Sequence, residues 1–332
     1  MTAVAGAEAM RQPVAAGSAS AATPTVSVVI CTWTGARWDE LCAAIESVRL
    51  QSHPPLETIV VVDHDSEVLG RARAELPDVV VAPNMEPRGL SGARNTGLGL
   101  ACGDVVAFLD DDAVAAPDWL RLLAQEYDDE RVLGVGGSIV PVWEVRPGWF
   151  PAEFGWVVGC TYRGLPSERA AVRNLIGASM SFRRELFAEL GGFRSGIGRV
   201  GTRPVGCEET DFCLRAGRAH PGGLFVYQPL ALVHHRVPAR RARWGYFLAR
   251  CYGEGLSKAL VVRAAGVRRG LAAERSYTAR ALTSGFSSAL VASLTFRDRS
   301  GLLRAAAILT GLAAAAAGFC LGQFRGSLGS AA

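Results

Sequence analysis

Three consecutive carboxylates, Asp110 to Asp112, follow an apolar stretch in the first half of the chain. The preceding residues 104–109 are mostly apolar and partly β-branched, which predicts a buried strand ending at the acidic run. Adjacent carboxylates repel one another, and removing them from water is costly unless a cation or hydrogen bonds compensate. A hard divalent ion such as Mg²⁺ or Mn²⁺ provides that compensation and also binds phosphate oxygens. The alternative is a solvated turn before the helix that residues 116–120 predict.

The elements that must position these carboxylates are strands alternating with helices. Apolar strand patterns occur at 26–31, 58–62 and 79–81. Helical patterns follow Asp39, a candidate N-cap, and cover residues 90–101. This alternation predicts an α/β fold with a mostly parallel central sheet. Ligands of such sheets bind beyond the carboxyl ends of the strands, where Thr32 and Asp63 also lie.

The composition narrows the class of protein. A chain of 332 residues can form one large α/β domain or two smaller ones. Eight cysteines are scattered without metal-binding spacing, which is typical of reduced thiols in a cytosolic compartment. The first strand is followed by no G-x-G-x-x-G pattern, which argues against an NAD-dependent enzyme. Residues 1–24 contain no apolar core of a signal peptide, so we predict a disordered tail there.

The net charge of +4 is unevenly distributed. Fourteen basic residues lie between Arg236 and Arg304 against three acidic ones, so the rest of the chain is acidic. Such a basic region favours contact with anionic lipid or phosphate, the alternative being a solvated, Arg-rich helical surface. Nucleic acid is not an expected partner, because no binding motif or regular aromatic and basic interleaving accompanies the charge.

The apolar residues are concentrated near the C-terminus. Segment 302–324 includes an uncharged stretch of 17 residues, about the minimum for a membrane span. We predict a folded domain at 25–240, a basic helical membrane-proximal region at 241–301, a transmembrane helix at 302–324 and a tail at 325–332. A buried terminal helix is the alternative, since the Ala-rich segment is weakly hydrophobic. Segment 281–296 is interpreted as an interfacial or re-entrant helix.

Five blocks of sequence occur in a fixed order between residues 25 and 260. They are 26–32 with 59–66, 88–97, 108–112, 177–184 with 191–193, and 207–215. They resemble, in turn, the nucleotide-binding strands, the following loop and helix, the D-x-D metal segment, the acceptor-side block and the E-D-x-D-L-x-x-R segment of family 2 glycosyltransferases. The resemblance implies a GT-A (nucleotide-diphospho-sugar transferase) fold and an inverting, membrane-associated enzyme.

On the donor side, the resemblance implies nucleotide-binding roles for four residues. Asp63 would hydrogen-bond the nucleobase, with Thr32 beside it; otherwise Asp63 is a turn residue at a strand end. Arg94 would approach the nucleotide or its phosphates, or else pair with the acidic strand ends. Asp110 would contact the ribose or the metal.

The resemblance also implies a metal site for Mn²⁺ or Mg²⁺. Asp112 would ligate the ion that bridges the two phosphates, with Asp110 as a second ligand, while the middle residue Asp111 points away. His235, after the apolar run 229–233, would complete the site, and imidazole suits Mn²⁺ better than Mg²⁺. His234 would pack behind it.

The catalytic base is expected in the Glu208-Glu209 pair. Glu209 occupies the place of the family's catalytic aspartate, and an inverting transfer needs a base to take the proton of the acceptor hydroxyl. Because glutamate is one methylene longer, the assignment between Glu208 and Glu209 stays open. Asp211 is expected to cap the following helix or contact the acceptor. The alternative for the whole cluster is an acidic helix N-terminus favoured by the helix dipole.

Two further features are candidates for acceptor binding. Segment 149–166 is rich in aromatic residues and glycine, which suits sugar rings or a prenyl chain as well as a local core. Lys258 is the only lysine beside 34 arginines, which favours a site that requires a compact ammonium. We therefore predict phosphate or acceptor contacts for Arg250 and Lys258.

These expectations combine into a metal-dependent inverting glycosyltransferase at the cell membrane. Its donor would be a nucleotide sugar, with a UDP-sugar favoured, and its acceptor a lipid-linked or cell-envelope glycan. The catalytic domain would face the cytoplasm, where nucleotide sugars occur and where Arg297, Arg299 and Arg304 agree with the positive-inside rule. The alternatives are a metal-dependent sugar nucleotidyltransferase and a non-catalytic glycolipid-binding scaffold.

Overall fold

The computed structural model describes residues 23–195, 198, 206–265, 278, 281–287, 289 and 300–328. Most of the predicted tail at 1–24, the end of the predicted tail at 325–332 and half of segment 281–296 lie outside these residues. The described strands are β1 (Val26–Thr32), β2 (Glu57–Val62), β3 (Val80–Pro83), β4 (Val105–Asp110), β5 (Ala113–Ala115), β6 (Val132–Trp143), β7 (Ala170–Val172), β8 (Ser179–Arg183) and β9 (Leu224–Val237).

These strands form one mixed sheet. The order is β3-β2-β1-β4-β8-β6-β9-β5, and β7 pairs with β9. β1 to β4 are mutually parallel, and β6 and β9 run in the same direction, whereas β5, β7 and β8 run in the opposite direction. The predicted α/β fold is confirmed, and its sheet is mostly parallel by strand direction.

Eight α-helices accompany the sheet within the described residues. They are α1 (Trp38–Arg49), α2 (Ser66–Glu75), α3 (Leu90–Leu100), α4 (Trp119–Gln125), α5 (Glu185–Leu190), α6 (Glu208–Ala219), α7 (Trp244–Ala265) and α8 (Gly301–Leu328). Short 3₁₀ segments cover Gly35–Arg37, Glu126–Asp128, Ala152–Val158 and Ala239–Ala242, and a π-helix covers Ala281–Phe286. The prediction that Asp39 caps the first helix is wrong, because α1 begins at Trp38 and Asp39 lies within its first turn.

Apolar side chains bury both faces of the sheet. Along β1, Val28 and Ile30 belong to one core and Val29 to the other, as the alternation of side chains in a strand requires. The second core is aromatic: the Phe187 ring stacks on Phe212 of α6 with centroids 4.3 Å apart. This packing fixes the start of α6, and with it Glu208 and Glu209, relative to the ends of the strands.

The two long C-terminal helices cross at close range. A Cβ added to Gly255 of α7 would overlap main-chain atoms of Ala315 in α8, and one added to Gly318 would overlap Tyr252. Within the described residues, α8 is the one helix long and apolar enough to cross a membrane, with a mean hydropathy of 1.9 over an 18-residue window of Gly301–Phe324. One third of that window is buried, so α8 both packs on the domain and exposes an apolar face.

Candidate active site

A three-residue cluster at the carboxyl edge of the sheet could hold a metal ion. Asp110 ends β4, and pairing of β5 with β9 places His235 opposite Ala113, just beyond Asp112. One potential ligand atom from each of Asp110, Asp112 and His235 lies within 4.8 Å of the others. Two carboxylates and an imidazole suit Mn²⁺, and two carboxylates also suit Mg²⁺.

Asp112 is surrounded by cationic side chains. His235 Nε2 lies 3.1 Å from Oδ1 of Asp112, and the Arg37 and Arg241 guanidinium groups each lie 3.2 Å from Oδ2. Burial alone would raise the pKa of Asp112, but these neighbours hold it well below its usual range. Burial alone would lower the pKa of His235, but Asp112 raises it to about 10. The positive groups thus compensate the buried carboxylate in the protein alone.

Asp111 does not point into solvent. Its Oδ2 accepts a hydrogen bond from the Thr32 hydroxyl at 2.9 Å, and its Oδ1 accepts one from Arg37 at 2.7 Å. Burial and the adjacent Asp112 raise the pKa of Asp111 to about 6. Asp111 therefore joins the ends of β1 and β4. Its hydrogen bonds stabilise the strand ends next to the candidate metal cluster.

Strand alternation separates the two neighbouring histidines. His235 is buried and faces Asp112, whereas His234 is exposed on the other face of β9. The expectation that His234 packs behind His235 is therefore not met.

Arg94 joins the candidate metal cluster to the candidate base pair. Its Nη1 donates to Glu208 Oε1 at 2.7 Å, and its Nη2 lies 3.3 Å from Asp110 Oδ1. Nη2 also donates to the carbonyl oxygen of Gly177, where an added Cβ would meet Arg94 at 2.9 Å. The pairing with acidic strand ends that the sequence left as an alternative is thus observed.

Replacing Arg94 by Met should therefore lower the melting temperature by about 10 °C, because breaking a buried ion pair costs about 3–5 kcal/mol. The matched control is Arg49→Met, which breaks an exposed pair with Asp78 and should cost less than about 1 kcal/mol. Thermal unfolding followed by circular dichroism measures both variants. Equal shifts in the two variants would contradict a central role for Arg94 in holding the site.

The acidic pair begins α6. Cys207 precedes it with a φ of +77°, a left-handed conformation that is unusual for a residue with a side chain. Glu208 is buried, and its Oε2 has no hydrogen-bond partner among the described residues. Burial and the neighbouring Glu208 raise the pKa of Glu209 to about 8. A group titrating near neutral pH matches the requirement for a general base.

Asp211 has a different environment. Its two oxygens lie 3.1 Å from Arg194 and 3.0 Å from Arg215, and the side chain is buried. It is not among the described residues that line the large cavity at the site. Asp211 thus ties the first turn of α6 to its surroundings.

Asp63 lies at the end of β2, next to Thr32. Its backbone N–H donates to the Thr32 carbonyl at 2.7 Å. The Asp63 carboxylate accepts hydrogen bonds from Asn84 at 2.7 Å and from the backbone N–H of Gly89. These contacts hold the loop before α3 against the end of β2.

A cavity of about 640 Å³ connects the acidic residues with the C-terminal helices. Asp110, Arg94, Glu208 and Glu209 line one part of it. Arg250, Glu254 and Lys258 of α7 line another, with Lys258 Nζ 3.4 Å from Glu254. The structure thus brings the Glu208-Glu209 pair and part of the predicted donor and acceptor sets around a common space. The predicted residues that do not line it are Thr32, Asp63, Asp112, Asp211 and His235.

The aromatic segment is divided between a core and the cavity. Trp149 and Phe150 pack against Phe247 of α7 with ring centroids 5.6 and 5.7 Å away. Phe154 and Trp156 line the cavity. Packing in a local core is therefore observed, and the binding of a sugar or prenyl chain by this segment stays a prediction.

Sequence reasoning missed two arginines and one wall of this site. Arg37 and Arg241 contact Asp112, but little distinguishes them among 34 arginines beyond the position of Arg37 close behind β1. Helix α8 was predicted as a membrane segment or a buried terminal helix and not as part of the site, yet it supplies cavity-lining residues between Leu309 and Phe319.

Comparison with known proteins gives consistent relatives. The family model described as glycosyl transferase family 2 matches residues 27–191. A glucosyl-dolichyl phosphate glucuronosyltransferase from Haloferax volcanii is 38% identical over 238 residues, which are 70% of this chain and 76% of that protein. The succinoglycan biosynthesis protein ExoM from Rhizobium meliloti is 28% identical over 256 residues, covering 74% of this chain and 78% of that protein.

A solved structure shares the fold. The mannosyltransferase PcManGT from Pyrobaculum calidifontis, determined in complex with GDP-Man and Mn²⁺, superimposes with a TM-score of 0.55 at 19% identity. The match covers 87% of this chain and 86% of that one. The likeness therefore extends over nearly all of both chains.

Proposed function

Because the chain belongs to glycosyltransferase family 2, we propose that it moves a sugar from a nucleotide-diphosphate sugar to a lipid-linked or cell-envelope glycan acceptor. It has the GT-A fold and is a glycosyltransferase of the hexosyltransferase type. The observation that carries the proposal is the Arg94 bridge, which ties Asp110 of the metal cluster to Glu208 beside the candidate base. Both ends of the bridge face one cavity.

The donor binds at the carboxyl edge of β1, β2 and β4 in this proposal. Thr32 and Asp63 position the nucleoside, with a UDP-sugar as the first donor to test, and Arg94 faces the phosphates. Asp112, Asp110 and His235 would hold Mn²⁺ or Mg²⁺, which when bound neutralises the charge that develops on the leaving diphosphate. The ion pairs of Asp112 with Arg37, Arg241 and His235 support a site that favours positive charge.

Glu209 is the proposed base, and Glu208 its positioning neighbour. Glu208 Oε1 is occupied by Arg94, whereas the pKa of Glu209, raised to about 8, suits proton removal from an acceptor hydroxyl. Attack by that hydroxyl from the face opposite the leaving diphosphate inverts the configuration of the sugar carbon. The proton is then on Glu209, and the diphosphate leaves with the bonding electron pair.

The acceptor side favours a membrane lipid. Arg250 and Lys258 line the cavity beside the apolar α8, and the Haloferax volcanii relative is named for a glucosyl-dolichyl phosphate. Exposed Leu302, Leu303 and Phe324 on α8 supply an apolar surface for a bilayer. The arginines before this helix favour a catalytic domain on the cytoplasmic side.

The proposal is tested with a panel of radiolabelled nucleotide sugars and bacterial membrane lipid extract, with and without EDTA. We expect label from one donor to enter the lipid fraction, and EDTA to abolish transfer until Mn²⁺ or Mg²⁺ is restored. Release of pyrophosphate from a sugar phosphate and a nucleoside triphosphate would instead indicate a nucleotidyltransferase. Lipid binding without consumption of any donor would indicate a scaffold and overturn the proposal.

A further inference from the structure

The cavity at the site has a polar side and an apolar side. On the polar side lie the carboxylates of Asp110, Glu208 and Glu209. On the apolar side lies α8, whose lining residues are Leu309, Leu312, Ala313, Ala315, Ala316 and Phe319. A sugar alone would not need such a wall, because its hydroxyl groups require hydrogen-bonding partners and these six side chains of α8 offer none.

The lining residues of α8 form a continuous stripe. Leu309, Leu312, Ala316 and Phe319 recur at intervals of three or four, which places them on one face of the helix. Ten residues separate the first from the last, so the stripe is about 15 Å long. That length is suited to an extended hydrocarbon chain.

Charged residues of α7 lie where the two sides meet. Arg250, Glu254 and Lys258 are spaced four apart, so they share one face of α7, and all three line the cavity. Glu254 Oε1 lies 3.4 Å from Lys258 Nζ. Two cations with one carboxylate leave a net positive face, which complements a phosphate or diphosphate.

Close helix packing holds this wall in place. A Cβ at Gly255 would overlap α8, one at Gly318 would overlap α7, and one at Gly322 would lie 2.6 Å from Ala259. Small residues that let two backbones approach fix helix pairs without needing a hydrophobic driving force. Helix α8 is therefore a fixed wall of the cavity as well as an apolar helix.

We propose that α8 is the binding wall for the hydrocarbon chain of the acceptor, a single-chain lipid whose phosphate or diphosphate lies at Arg250 and Lys258. The inference rests on the proposed function and adds the position of the lipid within the protein. The chain lies along the stripe from Leu309 to Phe319 and continues into the bilayer beside α8. The sugar hydroxyl at the other end of the phosphate then faces Glu209.

The test substitutes four alanines of α8, one at a time, in the full-length protein held in lipid nanodiscs. Ala313→Phe and Ala316→Phe fill the cavity, whereas Ala306→Phe and Ala317→Phe place the same ring at exposed positions that do not line it. Farnesyl phosphate is the probe, and titration calorimetry measures its affinity against empty nanodiscs. We expect the two cavity variants to bind it at least tenfold more weakly than the two controls.

A second pair of probes tests the charged end. Lys258→Gln should weaken farnesyl phosphate binding severalfold and leave the binding of farnesol, which has no phosphate, unchanged. Inorganic phosphate should bind far more weakly than farnesyl phosphate to the unsubstituted protein. Equal effects of Lys258→Gln on both farnesyl probes would overturn the assignment of the phosphate position.

UDP and GDP binding in the presence of Mn²⁺ separates this inference from the proposed function. If nucleotide binding is intact and farnesyl phosphate binds all four Ala→Phe variants equally, the assignment of α8 as the binding wall is wrong. The proposal of a glycosyltransferase then still stands. If the unsubstituted protein binds no nucleotide, the proposed function fails first. A melting temperature within a few degrees of the unsubstituted protein confirms that each variant is folded.

Discussion

Glu209→Gln is expected to lower the rate of sugar transfer by roughly 10²–10⁴-fold, the usual contribution of a general base. Glutamine keeps the shape of the side chain and its place at the start of α6, but it cannot accept the hydroxyl proton. Nucleotide binding should be unchanged, because none of the proposed contacts with the nucleotide or its metal involves Glu209. Initial rates and nucleotide affinity, measured on the same preparation, separate the two effects.

The pH dependence gives an independent test of the same residue. The base acts as the carboxylate, and burial with Glu208 nearby raises the pKa of Glu209 to about 8. We therefore expect kcat/KM to rise with pH up to about 8, by up to tenfold per pH unit below it, and then to level off. This rise of kcat/KM up to about pH 8, the limb of the pH profile, should vanish in Glu209→Gln.

Glu208→Gln is the matched control. It weakens the contact with Arg94 at 2.7 Å without removing the proposed base, so the pH-dependent rise should survive in whatever activity remains. We expect the rise to shift to lower pH, because the Glu208 charge that helps to raise the pKa of Glu209 is gone. If Glu208→Gln abolishes the limb and Glu209→Gln retains it, the roles of the two residues are exchanged. Loss of nucleotide affinity in Glu209→Gln would place Glu209 in the donor site instead.

Asp112→Asn is expected to remove the metal dependence of donor binding and to lower kcat/KM by about 10²–10³-fold, since a bound metal stabilises the transition state by several kcal/mol. An amide is a much weaker ligand for a hard divalent ion than a carboxylate. The measurement is nucleotide affinity as a function of Mn²⁺ concentration. The unsubstituted protein should show tighter binding as Mn²⁺ rises, and the variant should show none.

Asp111→Asn is the control for this substitution. It alters the adjacent carboxylate, which is equally buried but is held by Thr32 and Arg37 outside the candidate metal cluster. We expect it to keep Mn²⁺-dependent binding. Equal loss of Mn²⁺-dependent binding in the two variants would show that the three aspartates act as a unit. The melting temperatures of both variants would reveal any general loss of folding.

The sequence predicted those parts of the fold that local patterns determine. Short, nearly continuous apolar runs located β1, β2 and β4 to within a residue or so, because strands buried on both faces are continuously apolar. The reversed directions of β5, β7 and β8 were not predicted, since they depend on which distant strands pair. Asp39 was misplaced because α1 begins one residue before it.

The same division applies to the site. Asp110, Asp112 and His235 were predicted together from motif resemblance, and the structure brings them within 4.8 Å of one another. The contacts of Arg37 and Arg241 with Asp112 join residues that are far apart along the chain, and one arginine among 34 has no local signature. The burial of Asp111 likewise depends on contacts with Thr32 and Arg37, which are distant in the sequence. Local sequence patterns therefore did not predict it.

The close crossing of α7 and α8 has a consequence for biosynthesis. Ribosomes make the chain from the N-terminus, and α8 is the last described element to be synthesised. The carboxyl edge of β1, β2 and β4 has been synthesised about 200 residues before α8 leaves the ribosome. A partly made polypeptide therefore contains these strand ends, whereas the cavity gains its α8 wall only after α8 docks onto α7.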